Sequence, residues 1–216
     1  MGLNIVRCRE DVPTVRITET QFLEAFAEVW FAALDAGRVP SSGPYGNREA
    51  WKEFIEGEEG LLAQVLERLA KGGHFWYGRE VVFRFDAAYG DDPDRRHPVV
   101  FAAFIEHELN NDPETEMQKL ILTRAPLKVL LFYDWGEFEK DTALRRQWAD
   151  SKLAWFAAAL EKANAACPED ERTAYIFCIG RRATPDAEIK WYAASSKPLQ
   201  PILASGLRSL ARPTER

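Results

Sequence analysis

Two glutamates two residues apart, Glu106 and Glu108, close the apolar run FAAFIEHE. In a strand, residues two apart project to the same face, so these carboxylates point together and His107 points the opposite way. His107 therefore reads as a packed or hydrogen-bonded histidine. Upstream, Asp86 in FRFDAAY follows a second aromatic and branched stretch. A neighbouring strand that brought Asp86 alongside would collect three carboxylates at one sheet end. Charges that close repel by ~4 kcal/mol per pair at ~4 Å and an effective dielectric near 20, and a divalent cation relieves this directly. Hard oxygen ligands without cysteine select Mg²⁺ or Mn²⁺ over zinc.

Downstream, Asp112 and Pro113 have the character of an N-cap and a first helical residue. In the helix they open, Glu116 and Lys119 are three apart and share a face. An ammonium near a metal-bound water and a scissile phosphate would orient the nucleophile and offset developing charge. This set suits metal-dependent hydrolysis of phosphodiesters. The plainer alternative is a strand emerging into solvent beside an ordinary surface ion pair, worth only a few tenths of a kcal/mol.

The residues between and around these groups define the elements that must hold them. TETQFLEAFAEVWFAALDAG places Phe22, Phe26, Val29 and Trp30 at helical spacing, with a capping box from Thr18 to Gln21 and a stop at Gly37. A second helical region, Arg48 to Lys71, is divided by EGEEG at 56–60. HFWYGREVVFRFDAAY predicts two short strands or one bent one, with Val82, Arg84 and Asp86 on one face. PVVFAAFIEHE and PLKVLLFYDW are apolar on both faces and read as central strands, with a helix to about Arg124 between them. A long helix, about 140 to 165, carries Leu144, Trp148, Trp155, Phe156 and Leu160 on its apolar side. TAYIFCIG and EIKWYAAS are late strands, and 202–212 a last short helix.

The order is two helical regions, three strands, helix, strand, helix and two strands. That is an α/β chain with a mixed sheet flanked by helices. Three strands before one helix argue against strict doubly wound alternation.

At 216 residues the chain has room for one full domain. No apolar run approaches the ~18 residues of a membrane helix, and charges interrupt the N-terminus too early for a signal peptide. The expectation is a soluble cytoplasmic protein. Three cysteines, Cys8, Cys167 and Cys178, are too few for a disulfide framework or a cysteine zinc site. A net charge of −6 disfavours a broad polyanion surface, although Arg95–Arg96, Arg145–Arg146 and Arg181–Arg182 could build a local patch.

The succession of FRFDAAY, a loop, FAAFIEHE, a helix and PLKVLLFYDW resembles the PD-(D/E)XK restriction-endonuclease-like superfamily, in a variant whose third motif reads Glu-x-Glu. The resemblance covers about residues 60–135. It implies a restriction-endonuclease-like central mixed sheet with an N-terminal helical extension over 1–59, a nuclease-like core over 60–135, and a C-terminal helix and strands over 136–216. It further implies a nuclease acting on nucleic acid, with Asp86 and Glu106 binding Mg²⁺ (or Mn²⁺) and Glu67 as the first-motif acid. Phe85 stands where the pattern has proline. Glu108 stands where it usually has lysine, so either Lys119 supplies the amine from the helix or the protein is a catalytically silent binding module. The N-terminal helices, with Phe22, Phe26, Trp30 and Trp51, are alternatively a homodimer or partner surface.

Overall fold

The structure, a computed structural model, describes residues 16–41, 43–69, 75–78, 85–90, 101–109, 112–134, 141–165, 173–182, 189–195 and 208–209. Helix α1 (Glu19–Asp35) starts on the expected capping box: the Gln21 amide donates to the Thr18 hydroxyl at 3.2 Å, and the Thr18 amide donates to the Gln21 side chain at 2.9 Å. It ends in a turn at Gly37, whose φ of 65° is strained for any residue with a Cβ. A short helix α2 (Gly43–Gly46) precedes α3 (Arg48–Glu56) and α4 (Leu61–Leu69), which are separated at Gly57–Gly60. Gly43, at φ 63°, also admits the guanidinium of Arg182, since a Cβ there would fall 1.8 Å from Nη2.

The strands are β1 (Phe75–Gly78), β2 (Ala87–Gly90), β3 (Phe101–His107), β4 (Leu127–Tyr133), β5 (Ala174–Arg181), β6 (Lys190–Ser195) and β7 (Arg208–Ser209), with α5 (Pro113–Leu122) and α6 (Thr142–Ala165) between β3, β4 and β5. Among the described residues they form one seven-stranded sheet in sequence order. β1, β2 and β3 make an antiparallel meander, β3–β4–β5 are parallel, and β6 and β7 return antiparallel. Parallel neighbours require crossovers, and α5 and α6 supply them.

Period-two alternation sorts the sheet's side chains between two cores. On one face Ile105, Val129, Leu131, Tyr133, Ile176 and Cys178 pack against α1, α3 and α4. On the other, Phe104, Leu130, Phe132, Phe177 and Ile179 pack against α5 and α6. Central strands apolar on both faces follow from having helices on both sides.

Several expectations are corrected. The N-terminal helices share a core with the sheet: Phe22, Phe26, Trp30 and Trp51 are each at most 3% exposed, inside the chain's own interior, so these four side chains are not presented to a partner. On α6 Phe156 and Leu160 are buried as expected, but the first half of the stripe is shifted by one position, to Arg145 and Ala149 with Leu153, while Leu144 and Trp155 are exposed. Within 202–212 the described residues 208–209 are strand, paired with Ala193 and Tyr192, because they complete the edge of β6. Helix α5 stops at Leu122 rather than near Arg124. Asp86 lies in a bend before β2 rather than at the end of a strand over 82–86, and Val82 and Arg84 lie outside the described residues. Cys8, Cys167, His74, His97 and Arg95–Arg96 also lie outside them. Among the described residues no helix is long and apolar enough to cross a membrane.

Candidate active site at the carboxyl end of the parallel strands

In sheets with parallel strands, ligands bind beyond the carboxyl ends of those strands. Asp86 reaches that end because β2 runs antiparallel to β3: Ala87 pairs with Ile105, so Asp86 comes opposite Glu106. The two carboxyl groups act directly on each other's ionisation. Asp86 Oδ2 also accepts the backbone N–H of His107 at 2.7 Å.

Glu106 is 1% exposed and follows the face of Phe104, toward α5. From that helix Lys119 Nζ forms ion pairs with Glu106 Oε1 and, at 3.0 Å, with Glu116 Oε2. Nζ also stands over the Phe85 ring, 5.0 Å from its centroid. Asp86, Glu106, Glu116 and Lys119 are thus brought together. Glu108 is buried just past β3, where its N–H donates to the Leu131 carbonyl at 2.8 Å. Glu67 is exposed on α4.

The electrostatics of the pair are opposed. Burial, followed by the charge of Asp86, pushes Glu106 up to about 10, although Lys119 pulls it down. Burial and then Glu56 raise Asp86 as well, against the His107 N–H. Burial lowers the Lys119 ammonium, but Glu106 and Glu116 outweigh it and hold its pKa above the usual value. An ammonium beside Oε1 favours a carboxylate, whereas burial and Asp86 favour the acid. Both are met if the pair shares one proton, with the remaining negative charge facing Lys119.

On the opposite face a chain of buried side chains backs the site. Trp51 Nε1 donates to the Tyr133 hydroxyl at 2.7 Å, and that hydroxyl meets His107 Nε2 at 2.8 Å. His107 Nδ1 meets Glu56 Oε1 at 2.8 Å, and Lys52 lies 3.4 Å from Glu56 Oε2. Indole is a donor only, so Tyr133 accepts from Trp51 and gives its own proton to Nε2; Nδ1–H then donates to Glu56. His107 turns away from Glu106, as its place in the pleat predicts, and its backbone ties this chain to Asp86.

Glu56 was not singled out from the sequence, where it begins the EGEEG break. It is the helical acid that acts on Asp86. Its one local signal is Lys52 at i−4. Arg145 was read as part of a possible basic patch, and its burial was missed because Leu144 and Trp148 drew the apolar stripe one residue away.

Among the described residues no group of three or more His, Cys, Asp or Glu side chains is arranged to hold a metal ion. Mg²⁺ nevertheless commonly binds through one or two carboxylates, completing its shell with water and substrate phosphate. The Asp86–Glu106 pair offers two adjacent hard-oxygen groups whose repulsion a cation would relieve in place of a shared proton, so these residues fit a magnesium or manganese ion. No protein-family model, no curated protein and no solved structure matches the chain.

Proposed function

We propose that this chain is a restriction-endonuclease-like, metal-dependent nuclease that hydrolyses phosphodiester bonds of nucleic acid. The observation that carries this reading is the buried Asp86–Glu106 carboxyl pair with Lys119 ion-paired to it from α5. The succession of Asp86, β3, α5 and parallel β4 supports this reading. Asp86 and Glu106 would hold Mg²⁺ or Mn²⁺, and Glu56 takes the place of the helical acid in preference to exposed Glu67. When bound, the cation supplies Lewis acidity toward the phosphate and lowers the pKa of a coordinated water.

The chain's own groups have separate roles. Lys119 presents an ammonium where negative charge develops on the phosphoryl oxygens, and it stands in for the lysine that Glu108 displaces. Glu116 holds Nζ from the helix side at 3.0 Å. The His107 N–H fixes the Asp86 carboxylate, and Glu56 keeps the imidazole in one orientation. The second reading, a silent binding module, is favoured by Glu108 at the lysine position and by the net charge of −6.

Incubation of supercoiled DNA and of a structured RNA with Mg²⁺, Mn²⁺ or EDTA separates the two. The nuclease reading expects metal-dependent nicking that Asp86→Asn abolishes and Lys119→Met slows by about 10²- to 10³-fold, the usual effect of removing one stabilising donor. Intact substrate under both metals overturns it, and nucleic-acid binding without cleavage then favours the silent module.

A further inference from the structure

Glu106 is closed off from solvent. It is 1% exposed, and beyond its ion pair with the Lys119 ammonium, Oε1 has no hydrogen-bond donor among the described residues. The groups around this ion pair differ in how readily they give way. Phe85 and Phe104 are each 1% exposed and stack on one another with centroids 4.2 Å apart. Asp86 is tied to the His107 N–H at 2.7 Å. Lys119 differs from all three, because its side chain is 28% exposed and ends a flexible four-carbon stem. The same ammonium has a second station on α5. Glu116 Oε2 lies 3.0 Å from Nζ, one helical turn back, on a side chain that is 22% exposed.

A cation can reach Glu106 only if a neighbouring group moves, and Lys119 is the one able to move without repacking the core. An ammonium and a divalent ion on one carboxylate oxygen also repel more strongly than two unit charges at that distance.

We propose that Lys119 is the resident counter-ion of the buried Asp86–Glu106 pair, and that it yields its place on Glu106 to Mg²⁺ or Mn²⁺ by moving to Glu116. In the absence of the cation the ion pair keeps the site closed and offsets part of the cost of burying Glu106. Once on Glu116, the ammonium stands on the solvent side of the site, where a phosphate can meet it. This regulation rests on the metal-binding part of the nuclease reading and adds an order to it, cation first and substrate second.

The test follows the Lys119 ammonium itself, by proton–nitrogen correlation NMR of the full chain with isotope-labelled lysine. Mg²⁺ is titrated at one pH without nucleic acid, and Lys119→Met assigns the signal. An ion-paired ammonium exchanges its protons slowly, so the signal should be present without Mg²⁺. It should shift as Mg²⁺ is added and saturate at the affinity that calorimetry gives. In Glu116→Gln the shifted signal should be lost, since the released ammonium has no second carboxylate. Glu116→Gln should also weaken Mg²⁺ binding several-fold in the parent but not in the Lys119→Met background, a coupling that the general field of Glu116 would not produce. Equal weakening in both backgrounds, or no Lys119 signal before Mg²⁺, overturns the exchange. Calorimetric binding with an unmoved Lys119 signal, in a parent that nicks DNA, overturns it and leaves the nuclease standing. A moving signal without cleavage upholds the exchange while the nuclease reading fails. A parent that binds no Mg²⁺ overturns both.

Discussion

Tyr133→Phe removes a single oxygen from the centre of the buried chain Trp51–Tyr133–His107–Glu56. The ring itself stays pinned: it packs on Trp51 and Trp191 with centroids 6.1 and 5.4 Å away, and it lies so close to Gly180 that a Cβ there would fall 2.6 Å from it. Packing is therefore held constant, and the loss includes the two hydrogen bonds of 2.7 and 2.8 Å. Trp51 Nε1 and His107 Nε2 would be left without these partners in an interior where Trp51 is 0% and His107 5% exposed. An unsatisfied buried polar group costs about 1–3 kcal/mol, and removing the hydroxyl returns part of that, so the substitution should destabilise by roughly 2–4 kcal/mol. For a chain of this size that lowers Tm by about 5–15 °C. Urea unfolding followed by tryptophan fluorescence and by circular dichroism measures it, with coincident transitions as the check on two-state behaviour. Trp51→Phe in the Tyr133→Phe background should cost less than Trp51→Phe alone, because the indole has already lost its acceptor. A loss below about 0.5 kcal/mol for Tyr133→Phe would refute the chain of donors, as would simple additivity in that double-mutant cycle.

Two further outcomes follow from the acids. Glu106→Gln mimics the protonated side chain that burial and Asp86 favour, so stability at neutral pH should change by less than about 1 kcal/mol. The Mg²⁺-dependent rise in Tm expected of the parent should disappear in that variant, and a persistent rise would remove Glu106 from the metal site. Asp134 is raised by burial to about 6, against the pull of Arg181, Arg145 and Arg146. The native state therefore binds this proton more tightly than the unfolded chain. Its contribution is full below the unfolded value of 3.8 and lost as pH rises through about 6. The difference in denaturation midpoint between parent and Asp134→Asn should fall over that window, by at most about 3 kcal/mol in stability, and a difference flat with pH would contradict the shift.

Local chemistry was legible wherever it is decided within a few residues. The capping box at Thr18, the break at EGEEG, the N-cap at Asp112 and the doubly apolar strands each depend on near neighbours. The turning away of His107 from Glu106 also follows from the pleat alone. The first half of the α6 stripe was misplaced because alanine is a weak periodic signal beside tryptophan, whereas Phe156 and Leu160 lie where expected. A buried Arg145 can be recognised only through the surrounding fold, where its charge acts on Asp134.

The sequence by itself determined the alternation of elements, the mixed helix and strand content, and the types of residue able to do chemistry at one end of β3. Only the tertiary structure decided which of them meet. The antiparallel register of β2 on β3 sets Asp86 against Glu106, and the return of α5 sets Lys119 on the same pair. The packing of α3 beneath the sheet brings in Glu56 rather than Glu67. The physical reason is separation along the chain. Asp86 and Glu106 are twenty residues apart, and Glu56 and His107 fifty-one. No local periodicity carries information across such spans, whereas one strand register and one helix crossover settle them together.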